Sequence, residues 1–102
     1  MIRWAIAIFM NNNALKKQII SWIATNYDND QEILLADGLE AAFVGLGFQF
    51  NNACAVYDVE DCINALMKQG MSNIDAWEYF DVNVQGAYVG ENTPIFIERF
   101  RK

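Results

Sequence analysis

The stretch YDVEDCINALMKQGMSNIDAWEYF, residues 57–80, constrains this chain more than any other. It contains two helix starts in succession. Asp58 carries a side-chain oxygen able to accept from the free backbone N–H groups of a first turn, and Asp61 follows three positions later, as in a capping box. Val59, Cys62, Ile63, Leu66 and Met67 then recur at helical spacing, an apolar stripe that Gly70 ends. Ser72 and Asp75 repeat the start, and Ile74, Trp77, Phe80, Val84 and Ala87 continue a second buried face. The spacing predicts helices over 59–69 and 73–86, although Val82-Asn83-Val84 also alternates as a strand would. Whatever fold forms must supply an apolar surface to both stripes.

The flanking segments read as strands that offer such a surface. Phe43 to Phe50 is aromatic and apolar, Asn51-Asn52 is a two-residue turn or, lacking glycine, part of a longer one, and Ala53 to Tyr57 returns as the partner of a hairpin. Thr93-Pro94 opens a last strand, IFIERF, in which Ile95, Ile97 and Arg99 oppose Phe96, Glu98 and Phe100. Gly45-Leu46-Gly47 begins a GxGxxG pattern, but the third position is Phe50 and no helix follows directly. A dinucleotide site therefore fails, and these glycines serve a bulge or close packing of a helix on the sheet. Residues 33–36 read as a short strand or a helical turn, Asp37-Gly38 as a break, and 39–42 as one turn of helix.

Upstream, ALKKQIISWIATNY (14–27) repeats Leu15, Ile19, Trp22, Ile23 and Tyr27 at helical spacing, with Lys16, Lys17 and Gln18 turned to water. Asp28, Asp30 and Glu32 alternate as in a calcium loop, but Ile33 stands where the loop requires glycine, so a solvated turn is expected. MIRWAIAIFM is too short to span a bilayer; it forms a buried strand, extends the next helix or lies upstream of a start at Met10, a core strand or helix being the expectation. The expected fold is one α+β domain over 1–102. Helices 14–27, 59–69 and 73–86 pack on one face of an antiparallel sheet of three or more strands (43–50, 53–57 and 94–99), with 1–12 as an N-terminal strand or extension.

Composition narrows the function. The 102 residues are 54% hydrophobic and 20% charged, which suits a folded domain with its own core. Seven Lys plus Arg against thirteen Asp plus Glu leave a formal charge of −6. Such a surface repels phosphate backbones and suits a basic partner or a mimic of nucleic acid. Histidine is absent. That removes the usual general base at neutral pH, the Ser–His and Cys–His nucleophile pairs and most transition-metal sites. Cys54 and Cys62 match no metal or redox spacing and are expected as buried free thiols in a reducing cytoplasm. Trp4, Trp22 and Trp77 read as core, since no basic residues interleave with them as stacking platforms for nucleic acid require. No cofactor, metal or membrane segment is expected.

The candidate contact residues fall into two sets. Asp58, Glu60 and Asp61, and then Asp75, Glu78 and Asp81, mark the helix starts, where the macrodipole favours acids for stability alone. Paired carboxylates also hold magnesium or run acid–base chemistry, the basis of an alternative reading as a small metal- or ligand-dependent enzyme. The second set is Asn83, Tyr88, Glu91, Asn92 and Thr93 around a glycine-bracketed loop. Asn83 interrupts an apolar stripe, so it reads either as a buried amide pinning that loop or as a partner contact. Sheet edges and an apolar first strand also permit a self-associating homodimer.

ILLADGLEAAFVGLGFQF, AVYDVEDCINALMKQGMS and DAWEYFDVNVQGAYVGENTPIF, within residues 32–97, together resemble a family of small accessory proteins encoded by tailed bacteriophages and prophages. The resemblance covers about two thirds of the chain and carries no established activity. It implies an α+β phage protein working in the host bacterial cytoplasm. With the missing histidine and the acidic surface, it supports a non-enzymatic protein that binds a host protein and blunts a defence system. In an anti-CRISPR form the acids would mimic nucleic acid on a basic nucleic-acid-binding surface. That form predicts a regularly spaced carboxylate stripe and binding that salt weakens steeply.

Overall fold

A computed structural model describes residues 3–6, 14–27, 33–50 and 52–100 of the chain. In chain order the elements are β1 (Arg3–Ile6), α1 (Ala14–Asn26), β2 (Leu34–Asp37), a 3-10 turn (Glu40–Ala42), β3 (Phe43–Gln49), β4 (Asn52–Asp58), α2 (Val59–Lys68), α3 (Asn73–Tyr79) and β5 (Ile95–Ile97). α3 runs on into a π-helical segment, Phe80–Gln85. The Asp28–Glu32 turn, Asn51 and the Trp4 side chain lie outside the described residues, as does most of the 1–12 segment.

The fold is α+β, as expected, but the sheet is mixed rather than antiparallel. Its order is β3-β4-β5, with β3 antiparallel and β5 parallel to β4. A parallel neighbour requires the chain to return to the end where β4 began, and α2, α3 and the loop after them make that crossover. The alternation of IFI is the same for either direction, so the sequence pattern alone could not choose between them. β1 pairs antiparallel with β2 in a separate two-stranded ribbon, from Arg3 opposite Asp37 to Ile6 opposite Leu34. The backbone N–H of Ala36 in that ribbon donates to the Tyr57 hydroxyl at 2.8 Å, tying ribbon to sheet.

The hairpin register explains both glycines. Phe43 faces Tyr57, but Gly45 faces Val56, so Val44 is an extra residue and the strand bulges there. At Gly47 a Cβ would lie 3.0 Å from Val56 Cγ2 and 3.3 Å from Ile95 Cδ1. The close approach is made by neighbouring strands' side chains, not by a helix.

The helices pack on the other face, through an aromatic series. Phe43 meets Tyr57 edge-on at 5.7 Å, Tyr57 stacks on Phe96 at 5.8 Å, and Phe80 meets Phe96 edge-on at 5.3 Å. α2 buries Val59, Cys62, Ile63 and Leu66 of the predicted stripe, while its last member, Met67, is exposed. Asp58 caps it by accepting from the Asp61 N–H at 2.9 Å. At its end Gly70, with φ of 109°, lets its own N–H reach the Met67 carbonyl and that of Met71 reach Leu66. This is a Schellman closure, which favours glycine because the left-handed region penalises a Cβ.

Several expectations about burial fail, that of Leu15 at the start of α1 among them. α3 buries Ala76, and with the π segment Phe80 and Val84, while Ile74 is 72% exposed and Trp77 also faces outward. Phe80 takes the place on Phe96, and Ile74 stands roughly 120° round the helix from it at 3.6 residues per turn. Lys16, expected in water, is 2% exposed, and its Nζ lies 2.8 Å from Asp37 Oδ1. It shares the inward face of α1 with Ile19 and Ile23, and a lysine so placed is tolerated only when paired. Trp22, expected in the core, is half-exposed. Among the described residues no helix is long and apolar enough to cross a membrane.

Candidate functional site

The structure separates the candidate residues rather than gathering them. At the start of α2, Asp58 is buried and engaged twice: Oδ2 caps the helix and Oδ1 lies 3.0 Å from Arg99 Nε. Arg99 Nη2 also lies 4.0 Å from Asp61 Oδ2, so this pair secures the end of β5 against α2. Glu60 points outward. On α3, Asp75, Glu78 and Asp81 are all exposed. Asp75 and Glu78 keep the i, i+3 spacing of an α-helix, but Asp81 sits in the wider turns of the π segment. Among the described residues no group of three or more acids or cysteines is arranged to hold a metal ion.

The loop after the π segment is pinned, but not by Asn83. That residue is half-buried, and its side chain makes no hydrogen bond among the described residues. Within the loop, the Val89 N–H donates to Thr93 Oγ1 at 2.9 Å, and the Thr93 hydroxyl and N–H both donate to the Gly90 carbonyl. From outside, Asn52 Nδ2 donates to the Glu91 carbonyl at 2.8 Å, and the Cys54 thiol reaches the same oxygen at 3.5 Å. The amide that secures the loop therefore comes from the start of β4. Of the two readings of Asn83, the pinning amide fails: the residue is only half-buried, and Asn52 holds the loop instead.

These contacts seat Glu91 and Asn92 beside the hairpin end, with Tyr88 78% exposed on the same loop. Asp58 lies at the far end of β4, about 20 Å away at the strand rise per residue. The acids of α2 and the loop thus belong to opposite ends of one strand.

The hairpin end adds a residue that the sequence did not single out. Gln49 pairs with Asn52, so the strand ends and the turn begins at Phe50, one position earlier than expected. Phe50 has φ of 55° and is 97% exposed. Phe48, two residues back, is also exposed, and its ring lies 5.5 Å from Tyr27, which in turn meets Trp22 at 5.3 Å. A partly exposed aromatic row therefore runs from α1 to the turn. The available signal was a phenylalanine directly before Asn-Asn, where a two-residue hairpin turn asks for positive φ.

The thiols are free and unsuited to nucleophilic work. Burial, with Asp58 and Asp61 adding to it, pushes Cys62 up from 9.0 to about 12, and burial also raises Cys54. A shallow hollow of about 380 Å³ lies between α2 and Gly38, lined by Asp61, Asn64, Lys68 and Gln69. Gln69 closes one side of it by donating to the Gly38 carbonyl at 3.0 Å.

Compared with protein-family models, with curated proteins and with solved structures, the chain finds no match in any of the three.

Proposed function

We propose that this protein acts by binding a partner protein at the hairpin end. Following the resemblance to phage accessory proteins, the partner is a host protein of the bacterial cytoplasm, engaged to blunt a defence system. The observation that carries the reading is Phe50. A non-glycine residue in the left-handed region costs about 1–2 kcal/mol, and Asn or Gly would adopt it more cheaply. Phe50 recovers none of that cost in the core, because its ring is almost wholly in water. Strain kept at an exposed position supports a functional role, and aromatic side chains are enriched at the cores of protein interfaces. Phe48 and the loop bearing Tyr88, Glu91 and Asn92 extend the surface around it.

Phe50→Asn tests this with two readouts that move in opposite directions. Stability should hold or rise by up to about 1 kcal/mol, since asparagine tolerates positive φ. Retention of the host partner in a pull-down at physiological salt should be lost. A variant that keeps the partner would remove the hairpin end from the reading. A wild-type chain that retains no partner would remove the reading itself.

A further inference from the structure

Beyond the hairpin end, and independent of it, we infer that the outer face of α3 docks a basic amphipathic protein surface: an apolar patch rimmed by Lys or Arg. Ile74, Trp77 and Glu78 stand at i, i+3 and i+4 and share one side of the helix, with Ile74 turned roughly 120° or more from the buried Ala76 and Phe80. Ile74 is the most exposed of the large apolar side chains on α3, and the Trp77 ring is held edge-on to Phe80 at 6.2 Å, so the patch is ordered rather than loose. Met67 of α2 adjoins it through a 3.6 Å contact between its sulfur and Asn73 Nδ2. Nothing in the fold requires an isoleucine at position 74, where Glu or Lys would favour the helix and solubility.

Charge decides what covers this face. Asp75, Glu78 and Asp81 border it, all exposed, and none forms an ion pair among the described residues. From Gln69 to Glu98 the chain contains no Lys or Arg at all, so nothing in this segment offsets them. A second copy of the face would bring like charges together, and nucleic acid or an anionic lipid surface would be repelled in the same way. A cationic rim is complementary, and its apolar centre gives Ile74 and Trp77 a dry contact, as in helix-mediated docking.

The test titrates the full, isotopically labelled chain with three peptides and follows backbone amide shifts. One peptide is a helical Leu/Lys amphipath, the second a Leu/Gln amphipath of equal length, and the third poly-lysine of equal charge. The Leu/Lys peptide should bind, with shifts centred on residues 74–82, and the other two should bind at least tenfold more weakly. Ile74→Ser, at an exposed site, should weaken the Leu/Lys peptide about tenfold. Glu78→Gln with Asp81→Asn should weaken it similarly and flatten its salt dependence, whereas Phe50→Asn should change nothing. The inference is overturned if poly-lysine matches the amphipath, if the shifts centre elsewhere, if Ile74→Ser binds like the wild type, or if no peptide binds.

Discussion

α2 and α3 are written in the same grammar and folded to different effect. Each begins with a residue whose side chain accepts from the N–H three positions on, at 2.9 Å for Asp58 and 3.1 Å for Ser72. α2 then buries four of the five members of the stripe that its spacing marks, with Met67 at its end and Glu60, Asn64 and Lys68 left outside. α3 sets Ile74 and Trp77 outside, buries Ala76, and widens into a π segment at Phe80. The difference lies in how many faces each sequence leaves open. α2 has one apolar stripe, so its rotation has one solution. α3 carries apolar side chains on several sides, so a partner elsewhere in the chain, Phe96, chooses among them. Local chemistry starts a helix, and tertiary contact sets its rotation.

The largest effects should follow burial, not residue size. Phe80→Ala should cost about 3–5 kcal/mol and Leu66→Ala about 2–5 kcal/mol, since each removes a side chain with almost no exposure and leaves a cavity. Trp77→Ala removes a larger side chain but should cost only about 1 kcal/mol, because it is partly exposed and loses chiefly its edge contact with Phe80. Denaturant unfolding of the three variants orders them. A Trp77 variant as unstable as the Phe80 variant would reverse the assignment of the buried face.

The same division separates what could be read from the sequence from what could not. Both caps, the α2 stripe, the Gly70 stop and the 43–57 hairpin rest on groups a few residues apart, and all were legible. The burial of Lys16 depends on Asp37, 21 positions away. The direction of β5 depends on the path of two helices. The loop anchor is Asn52 rather than Asn83, because Glu91 is folded back 39 positions onto the start of β4. For the candidate site, Tyr88, Glu91 and Asn92 were marked by their glycine-bracketed loop. Phe50 was missed because aromatic residues before a turn usually read as strand.

The two caps sharpen the comparison at intermediate size. Asp58→Ala should cost about 2–3 kcal/mol, because the side chain is buried and serves both the Asp61 N–H and Arg99. Ser72→Ala should cost about 0.5–1 kcal/mol, since it removes one exposed capping bond. Thermal or denaturant melts of the pair measure the gap. Equal losses would show that the Arg99 contact adds nothing to the cap.

A smaller effect separates the helices by pH, because α2 carries a buried thiol and α3 carries none. Below about pH 9 Cys62 is protonated in both folded and unfolded chains. Between 9.0, its ordinary value, and about 12, its folded value, only the unfolded chain ionises there. The unfolded state then binds fewer protons, so stability falls as pH rises, by about 1 kcal/mol at pH 10. Cys54 and Tyr57, both raised by burial, add to the same fall. Unfolding curves at pH 7, 8, 9 and 10 should show a plateau and then a decline. Cys62→Ala should lower the plateau but make the decline shallower. An unchanged slope in that variant would rule out Cys62 as a source.

The smallest expected effect is the most decisive for α3. Helical periodicity alone puts Ile74 on the buried face, where Ile→Ala should cost about 2–5 kcal/mol. The structure leaves it in water, where little contact is lost and alanine is the better helix former by a few tenths of a kcal/mol. Ile74→Ala should therefore change stability by no more than about 0.5 kcal/mol, in either direction. The measurement is a denaturant midpoint taken at two protein concentrations, with the slope checked for constancy. A loss above about 2 kcal/mol at both concentrations would mean that α3 is rotated and the periodicity was right. A loss that appears only at the higher concentration would mean that this face is covered by another copy of the chain, against the charge argument. No loss at either leaves Ile74 where the fold puts it, outside the core and free to meet a partner.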